Sequence, residues 1–249
     1  MNDAAVSIQG LGFRYPGQAA DCFSNLSLTI HAGERFGLFG PNGAGKTTLM
    51  SCMTGLLEYQ QGSIRLAGHE AKHHRKSVNG IFGFVPQDFS FYQELTPMEN
   101  LAFFGAWSGL QKEKIKKRSL ELLEVLGLSD VKDKQVQKFS GGMKRRVNLA
   151  IGVIHEPSIL FLDEPTVGVD VHSRQAIISY LRSLNDKGTT LIYTSHQLSE
   201  AEDLCETIAM IDAGKILVHD SLTKLLDEHK EDGLEGLFIS LTGKSIRNE

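Results

Sequence analysis

"ERFGLFGPNGAGKTTLMSCM", residues 34 to 53, decides the fold. It begins with a short apolar run, Phe36 to Phe39, of the kind that makes a buried strand. Gly40 to Thr47 then match G-x-x-x-x-G-K-[ST] in full, and "KTTLMSCMTGLL" continues as a helix. A phosphate-binding loop requires a strand before it and a helix after it, so these flanks set aside a chance glycine turn. The glycines let backbone N–H groups wrap a phosphate chain. Lys46 reaches the β- and γ-phosphates, and the Thr47 hydroxyl suits Mg²⁺.

The rest of the chain alternates around this unit. "VSI" and "LSLTI", within residues 6 to 30, alternate apolar and polar around the turn residues "YPGQ". "GSIRLAG" predicts a short strand and "GIFGFVPQ" a buried one ending at Gln87. Then the character changes. "LTPMENL" opens a helix, with Thr96 as cap, Pro97 at the first helical position and Glu99 closing a capping box. Ile115, Leu122, Leu123 and Leu126 form one helical stripe with lysines opposite, so residues of about 89 to 151 read as a helical insert. After it, "SILFLDEP" and "TTLIYTSH" predict buried strands on either side of the helix "RQAIISYLRSLNDKG", which carries Ile177, Ile178, Leu181 and Leu184 on one face. "TIAMIDAGKILV" reads as a hairpin. The expected fold is α/β, a P-loop NTPase core with a mostly parallel sheet, an N-terminal antiparallel β-subdomain and an inserted α-helical subdomain. The expected organisation is one ATPase domain over residues 1–220 and a short C-terminal tail over 221–249.

Composition narrows the class. The chain has 249 residues, 41% hydrophobic and 22% charged, with net charge -4, a balance that argues against a primary nucleic-acid binder. Cys22, Cys52 and Cys205 are scattered and form no C-x-x-C pair, which fits a reduced compartment better than a disulfide or zinc framework. The first ten residues carry neither a basic n-region nor an apolar h-region. No apolar run approaches the roughly 20 residues of a membrane-spanning helix. The expectation is a protein that is soluble alone or peripheral to a membrane.

Several residues outside the loop carry chemistry. "ILFLDE" ends a strand expected to lie beside the loop's strand; Asp163 is placed to hold Mg²⁺ and Glu164 to deprotonate an attacking water. Ser195 and His196 end the next buried strand, where ligands bind in parallel sheets. Gln87 ends another and can ligate Mg²⁺ or the water. "FSGGMKRR", residues 139 to 146, opens a helix with a serine and two glycines, a second anion cradle far from the first. Its basic run, 144 to 146, reads as a solvated helix face rather than a nucleic-acid site. His69, His73 and His74 read as a solvated polar loop rather than a metal site.

Together these motifs resemble the ATP-binding cassette of ABC transporters over nearly the whole chain. By that resemblance Gly40 to Thr48 is Walker A, and ATP is bound by Gly40, Asn42, Gly43, Ala44, Gly45, Lys46, Thr47 and Thr48. Gln87 corresponds to the Q-loop, Ile159 to Glu164 to Walker B with its catalytic glutamate, Val167 to Asp170 to the D-loop and His196 to the switch histidine. Tyr15 falls where an aromatic stacks on adenine. "FSGGM" is similar to the signature L-S-G-G-Q; Ser140, Gly141 and Gly142 match, while Met143 replaces a glutamine that could close a capping box. The resemblance implies two cassettes paired head to tail, each signature loop covering the γ-phosphate held by the other's Walker A. "FYQELTPMENLAFFG", "SGGMKRR…LDEPTVGVD" and "LEGLFISLTG" resemble the ATPase subunits of drug, polysaccharide and lipid exporters, which implies a place at the cytoplasmic face of the membrane with a separate transmembrane permease and no nucleic acid. A second copy of this chain is the simplest pairing. Phe89, Phe91, Tyr92, Phe103, Phe104 and Trp107 form either a socket for that permease or the core of the insert, with Phe89 to Tyr92 the better interface candidates because they precede the helix. A soluble cassette serving cofactor or complex assembly is the alternative.

Overall fold

The computed structural model describes residues 3–72, 80–195 and 197–243. β1 (Ala4–Phe13), β2 (Phe23–His31), β4 (Gln61–Leu66) and β5 (His69–Glu70) make an antiparallel sheet in the order β2-β1-β4-β5. The second sheet holds β3 (Arg35–Phe39), β6 (Phe82–Val85), β7 (Ile159–Asp163), β8 (Thr190–Thr194), β9 (Thr207–Asp212) and β10 (Lys215–Ser221). Its order is β10-β9-β3-β8-β7-β6, parallel throughout except for the β9–β10 hairpin.

Alternate residues of the central strands enter two different cores. Leu160 and Leu162 of β7 join one, with Leu191 and Tyr193 of β8. Ile159 and Phe161 join the other, with Ile192 and the N-terminal sheet. Burial on both faces is why these strands read as unbroken apolar runs. α1 (Lys46–Met53) leads out of the phosphate loop and packs in the second core through Leu49, Met50, Cys52 and Met53.

The helical insert holds α2 (Pro97–Trp107), α3 (Lys112–Val125) and α4 (Gly141–Val153). Thr96 caps α2 with Glu99 reciprocating, as the sequence pattern predicts. Ile115, Leu122, Leu123 and Leu126 are all buried, and so are Ile177, Ile178, Leu181 and Leu184 of α5 (Val171–Asn185). α6 (Leu198–Leu204) follows β8. α7 (Leu222–His229) and α8 (Leu234–Thr242) then pack Leu225, Leu234, Leu237 and Phe238 into the first core.

Two expectations need correction. The strand bearing Asp163 does not lie beside β3, because β8 intervenes and pairs with both. Apolar runs of equal burial carry no mark of which neighbour each will choose. β6 ends at Val85 rather than Gln87. Pro86 has no N–H with which to continue the ladder.

Candidate active site

The phosphate loop is shaped by close backbone contacts. At Gly40 an added Cβ would lie 2.0 Å from the Ile211 carbonyl oxygen of β9. Gly45, the N-cap of α1, sits at φ 107°, and a Cβ there would meet the Phe23 ring at 2.8 Å. The β9–β10 turn braces the loop from behind, Gly214 donating to the Ala44 carbonyl at 3.2 Å. That brace has no phosphate motif and was not legible as part of the site. Lys46 is 7% exposed and donates to the carbonyls of Gly40 at 2.8 Å and Pro41 at 3.2 Å. Burial lowers its pKa, while the charges of Glu164 and Asp163 oppose that shift.

Asp163 ends β7 opposite Thr194, whose hydroxyl donates to Oδ1 at 2.7 Å. Burial raises the carboxyl above the usual aspartate value, and the hydroxyls of Thr194 and Thr47 hold it back. Glu164 is 5% exposed and stands at φ 51°, a left-handed backbone uncommon for a residue with a side chain. Its N–H meets both the carbonyl and the hydroxyl oxygen of Thr194 at 3.2 Å. Gln87 Nε2 donates to Glu164 Oε2 at 3.2 Å. Lys46, Gln87, Asp163 and Glu164 therefore converge at the end of the parallel sheet where the phosphate loop lies. His196 lies outside the described residues.

Tyr15 is 41% exposed, with its ring edge-on to Phe13 at 4.8 Å and its hydroxyl 2.9 Å from Thr48 Oγ1. A cavity of about 470 Å³ opens beside it, lined in part by Arg14, Gln18 and Gln60. Thr48 thus fixes a partly exposed ring over open space.

The Ser140 stretch opens a helix, as the sequence predicts. Ser140 caps α4, its hydroxyl accepting from Met143 N at 3.3 Å. Gly142 is buried where a Cβ would lie 2.6 Å from Ser173 Oγ, whereas Gly141 is exposed. Asp170 gives both carboxylate oxygens to Ser173, one to its N–H at 2.9 Å and one to its hydroxyl at 2.7 Å, and so caps α5.

The basic run after the cradle is not a solvated face. Arg145 is 5% exposed, donates to the Gln87 carbonyl at 2.5 Å and stands 4.7 Å over the Phe89 ring. Arg146 donates to the Leu126 carbonyl at 2.8 Å, and Lys144 to Gln93 Oε1 at 3.3 Å. Carbonyls left over at the end of α3 and after β6 need donors, and α4 supplies them.

The aromatic cluster also resolves. Tyr92, Phe103 and Trp107 are 48%, 42% and 80% exposed and pack mainly on one another and on Phe104. Leu101 of α2 enters the core, with Met98 and Phe91 packed against it, so the reading of Tyr92, Phe103 and Trp107 as the insert's core is overturned. Of the histidines, His69 is exposed in β5, and His73 and His74 lie outside the described residues. Among the described residues no helix is long and apolar enough to cross a membrane.

Residues 23–167 match the family model described as ABC transporter. The chain is 40% identical over 215 residues to the linearmycin resistance ATP-binding protein of Bacillus subtilis (strain 168), covering 86% of this chain and 69% of the relative. It is 40% identical over 206 residues to the Nod factor export ATP-binding protein I of Rhizobium sp. (strain N33), covering 83% and 68%. A solved structure described as an ATP-binding subunit of an ABC transporter superposes with TM-score 0.88 at 25% identity, over 96% of this chain and 99% of that one. With the phosphate loop and its carboxylates assembled as described, the chain belongs to the ABC transporter family, as one of its ATP-hydrolysing subunits.

Proposed function

We infer that this ATPase powers export through a separate membrane-spanning subunit, and that it works by ATP-dependent pairing of two cassettes. The convergence of Lys46, Gln87, Asp163 and Glu164 at one sheet edge carries the reading. The backbone of Gly40 to Thr48, including Asn42, Gly43, Ala44, Gly45, Thr47 and Thr48, binds the phosphates. Lys46 leaves the carbonyls of Gly40 and Pro41 for the β- and γ-phosphates, and Tyr15 supports the base. The oxygens of Thr47 and the buried Asp163 carboxylate suit a hard divalent cation, with Gln87 alongside. Mg²⁺ held there would neutralise charge on the phosphates. Glu164 accepts the proton of the attacking water, and the Gln87 amide orients its carboxylate. His196, which follows Ser195 in the sequence, is assigned to the same chemistry by the motif alone.

Ser140, Gly141 and Gly142 serve the ATP held by the partner cassette, a second copy of this chain in the simplest assembly. Asp170 shapes that surface by capping α5 against Gly142. The permease docks on the exposed rings of Tyr92, Phe103 and Trp107, which places the cassette dimer at the cytoplasmic face of the membrane. Export is favoured by the relatives whose names carry linearmycin resistance and Nod factor export. A soluble assembly ATPase would leave the aromatic patch without a partner.

Glu164→Gln tests the chemistry. It should bind ATP, lose turnover by about 10²–10⁴-fold and accumulate an ATP-bound dimer in size-exclusion chromatography. A variant that stays monomeric and hydrolyses ATP at the parent rate overturns the assignment.

A further inference from the structure

Glu200, on the first turn of α6, is 7% exposed and is not one of the groups converging on the phosphate loop. Its Oε2 accepts from Thr166 Oγ1 at 2.5 Å and from the Tyr193 hydroxyl at 3.0 Å. Those two hydroxyl oxygens are 3.2 Å apart, but each has only one proton and both protons go to the carboxylate. Arg174 Nε of α5 stands 2.7 Å from Oε1, an ion pair outside hydrogen-bond angles. One buried carboxylate thus gathers α6, β8, α5 and the turn after β7.

The two hydroxyl partners flank Glu164. Thr166 is two residues beyond it. Tyr193 precedes Thr194, whose carbonyl and hydroxyl oxygens face the Glu164 N–H. Glu164 needs that support, because its left-handed backbone persists only where the surroundings over-determine it. Thr166 and Tyr193 are 2% and 0% exposed, so no water replaces the carboxylate as their acceptor.

We propose that Glu200 is a positioning residue for ATP hydrolysis: by binding Thr166 and Tyr193 at once, it fixes the backbone on both sides of Glu164 and so aims the Glu164 carboxylate. The proposal rests on the reading of Glu164 as the general base. It separates Glu200 from an ordinary buried anchor, whose loss would lower stability and nucleotide affinity together.

Thr166→Val, Thr166→Ser and Glu200→Met in the full chain give the test, with kcat, ATP affinity and thermal unfolding measured on each. Thr166→Val should lose about tenfold to a hundredfold in kcat at unchanged ATP affinity, as expected when a reacting group is misplaced. Thr166→Ser, which keeps the hydroxyl, should restore the rate. Placed on Glu164→Gln, Thr166→Val should cause no further loss, because both changes act through one group. Glu200→Met, which offers neither hydroxyl an acceptor, should follow Thr166→Val. If it does not fold, the two Thr166 variants still decide. Parent-rate hydrolysis by Thr166→Val overturns the proposal. So does equal damage in Thr166→Ser, a parallel loss of affinity, or full additivity with Glu164→Gln. The two readings fail separately. Parent-rate turnover in Glu164→Gln removes the base itself, whereas a slow Glu164→Gln beside a fully active Thr166→Val removes only the role of Glu200.

Discussion

Asp163 is 2% exposed, and its carboxyl is shifted up by burial despite the hydroxyls beside it. The folded protein therefore holds that proton more tightly than the unfolded chain. Its contribution to stability is fully present below the ordinary aspartate value of 3.8 and is lost as pH rises through the folded value. At neutral pH the charged carboxylate costs stability that the site keeps for chemistry. Asp163→Asn resembles the protonated form and can still accept from Thr194. Measured without nucleotide or divalent metal at pH 7, it should melt above the parent and hydrolyse ATP far more slowly. A lower melting temperature would show that the charge supports the fold. The loop residues Gly40 to Thr48 were legible because the motif specifies a backbone shape as well as side chains. The left-handed backbone at Glu164 was not, since nothing in a glutamate marks its φ. Arg145 misled for a related reason: a cation in a basic run looks solvated until the carbonyls of Pro86 and Gln87 are placed above it.

Individual helices and strands were legible wherever one face is apolar and the ends carry their own chemistry. Thr96, Pro97 and Glu99 announce α2, and the four-residue stripe from Ile115 announces α3. What joins the elements is less visible, as His155 shows between α4 and β7. Its Nε2 lies 2.9 Å from the Phe82 carbonyl on β6, so that nitrogen carries the proton, while Nδ1 is buried with no hydrogen-bond partner. Burial lowers its pKa from 6.5, and His219 of β10 is lowered by the same cause. At neutral pH both are neutral in the fold, and as pH falls the unfolded chain takes up their protons first. Their contribution is fully present above pH 6.5 and is lost as pH falls below it toward the folded values. Denaturant unfolding should therefore give a midpoint that drops between pH 7 and pH 5. His155→Gln should flatten that drop in part, leaving the share of His219. An unchanged slope would assign the pH dependence to other groups.

At the scale of the molecule, the parallel sheet divides two cores and presents the phosphate loop and the carboxylates at one edge. The order of its strands was not legible, because β3, β7 and β8 are equally apolar and pairing is chosen over long range. Ser140 to Gly142 open α4, and the cations that follow them are engaged elsewhere. Lys144 is on Gln93, Arg145 on the Gln87 carbonyl and Arg146 on the Leu126 carbonyl. On the proposed pairing, an anion bound at Ser140 to Gly142 is held by Lys46 of another cassette, and each ATP site is built from two chains. Specific activity should then fall on dilution. Mixing two defective variants is the sharper test. Lys46→Ala spoils the phosphate-loop half of a site, and Ser140→Arg spoils the signature half by placing bulk where the γ-phosphate must lie. Either homodimer has two defective sites, whereas the hybrid has one site with both halves intact and one with both spoiled. The mixture should regain ATP-dependent dimerisation that neither parent shows. Turnover recovers less if the two sites require each other, so the dimer, read by size-exclusion chromatography, is the measurement that decides. A mixture that dimerises no better than its parents, or activity per chain that ignores dilution, would rule out the shared site.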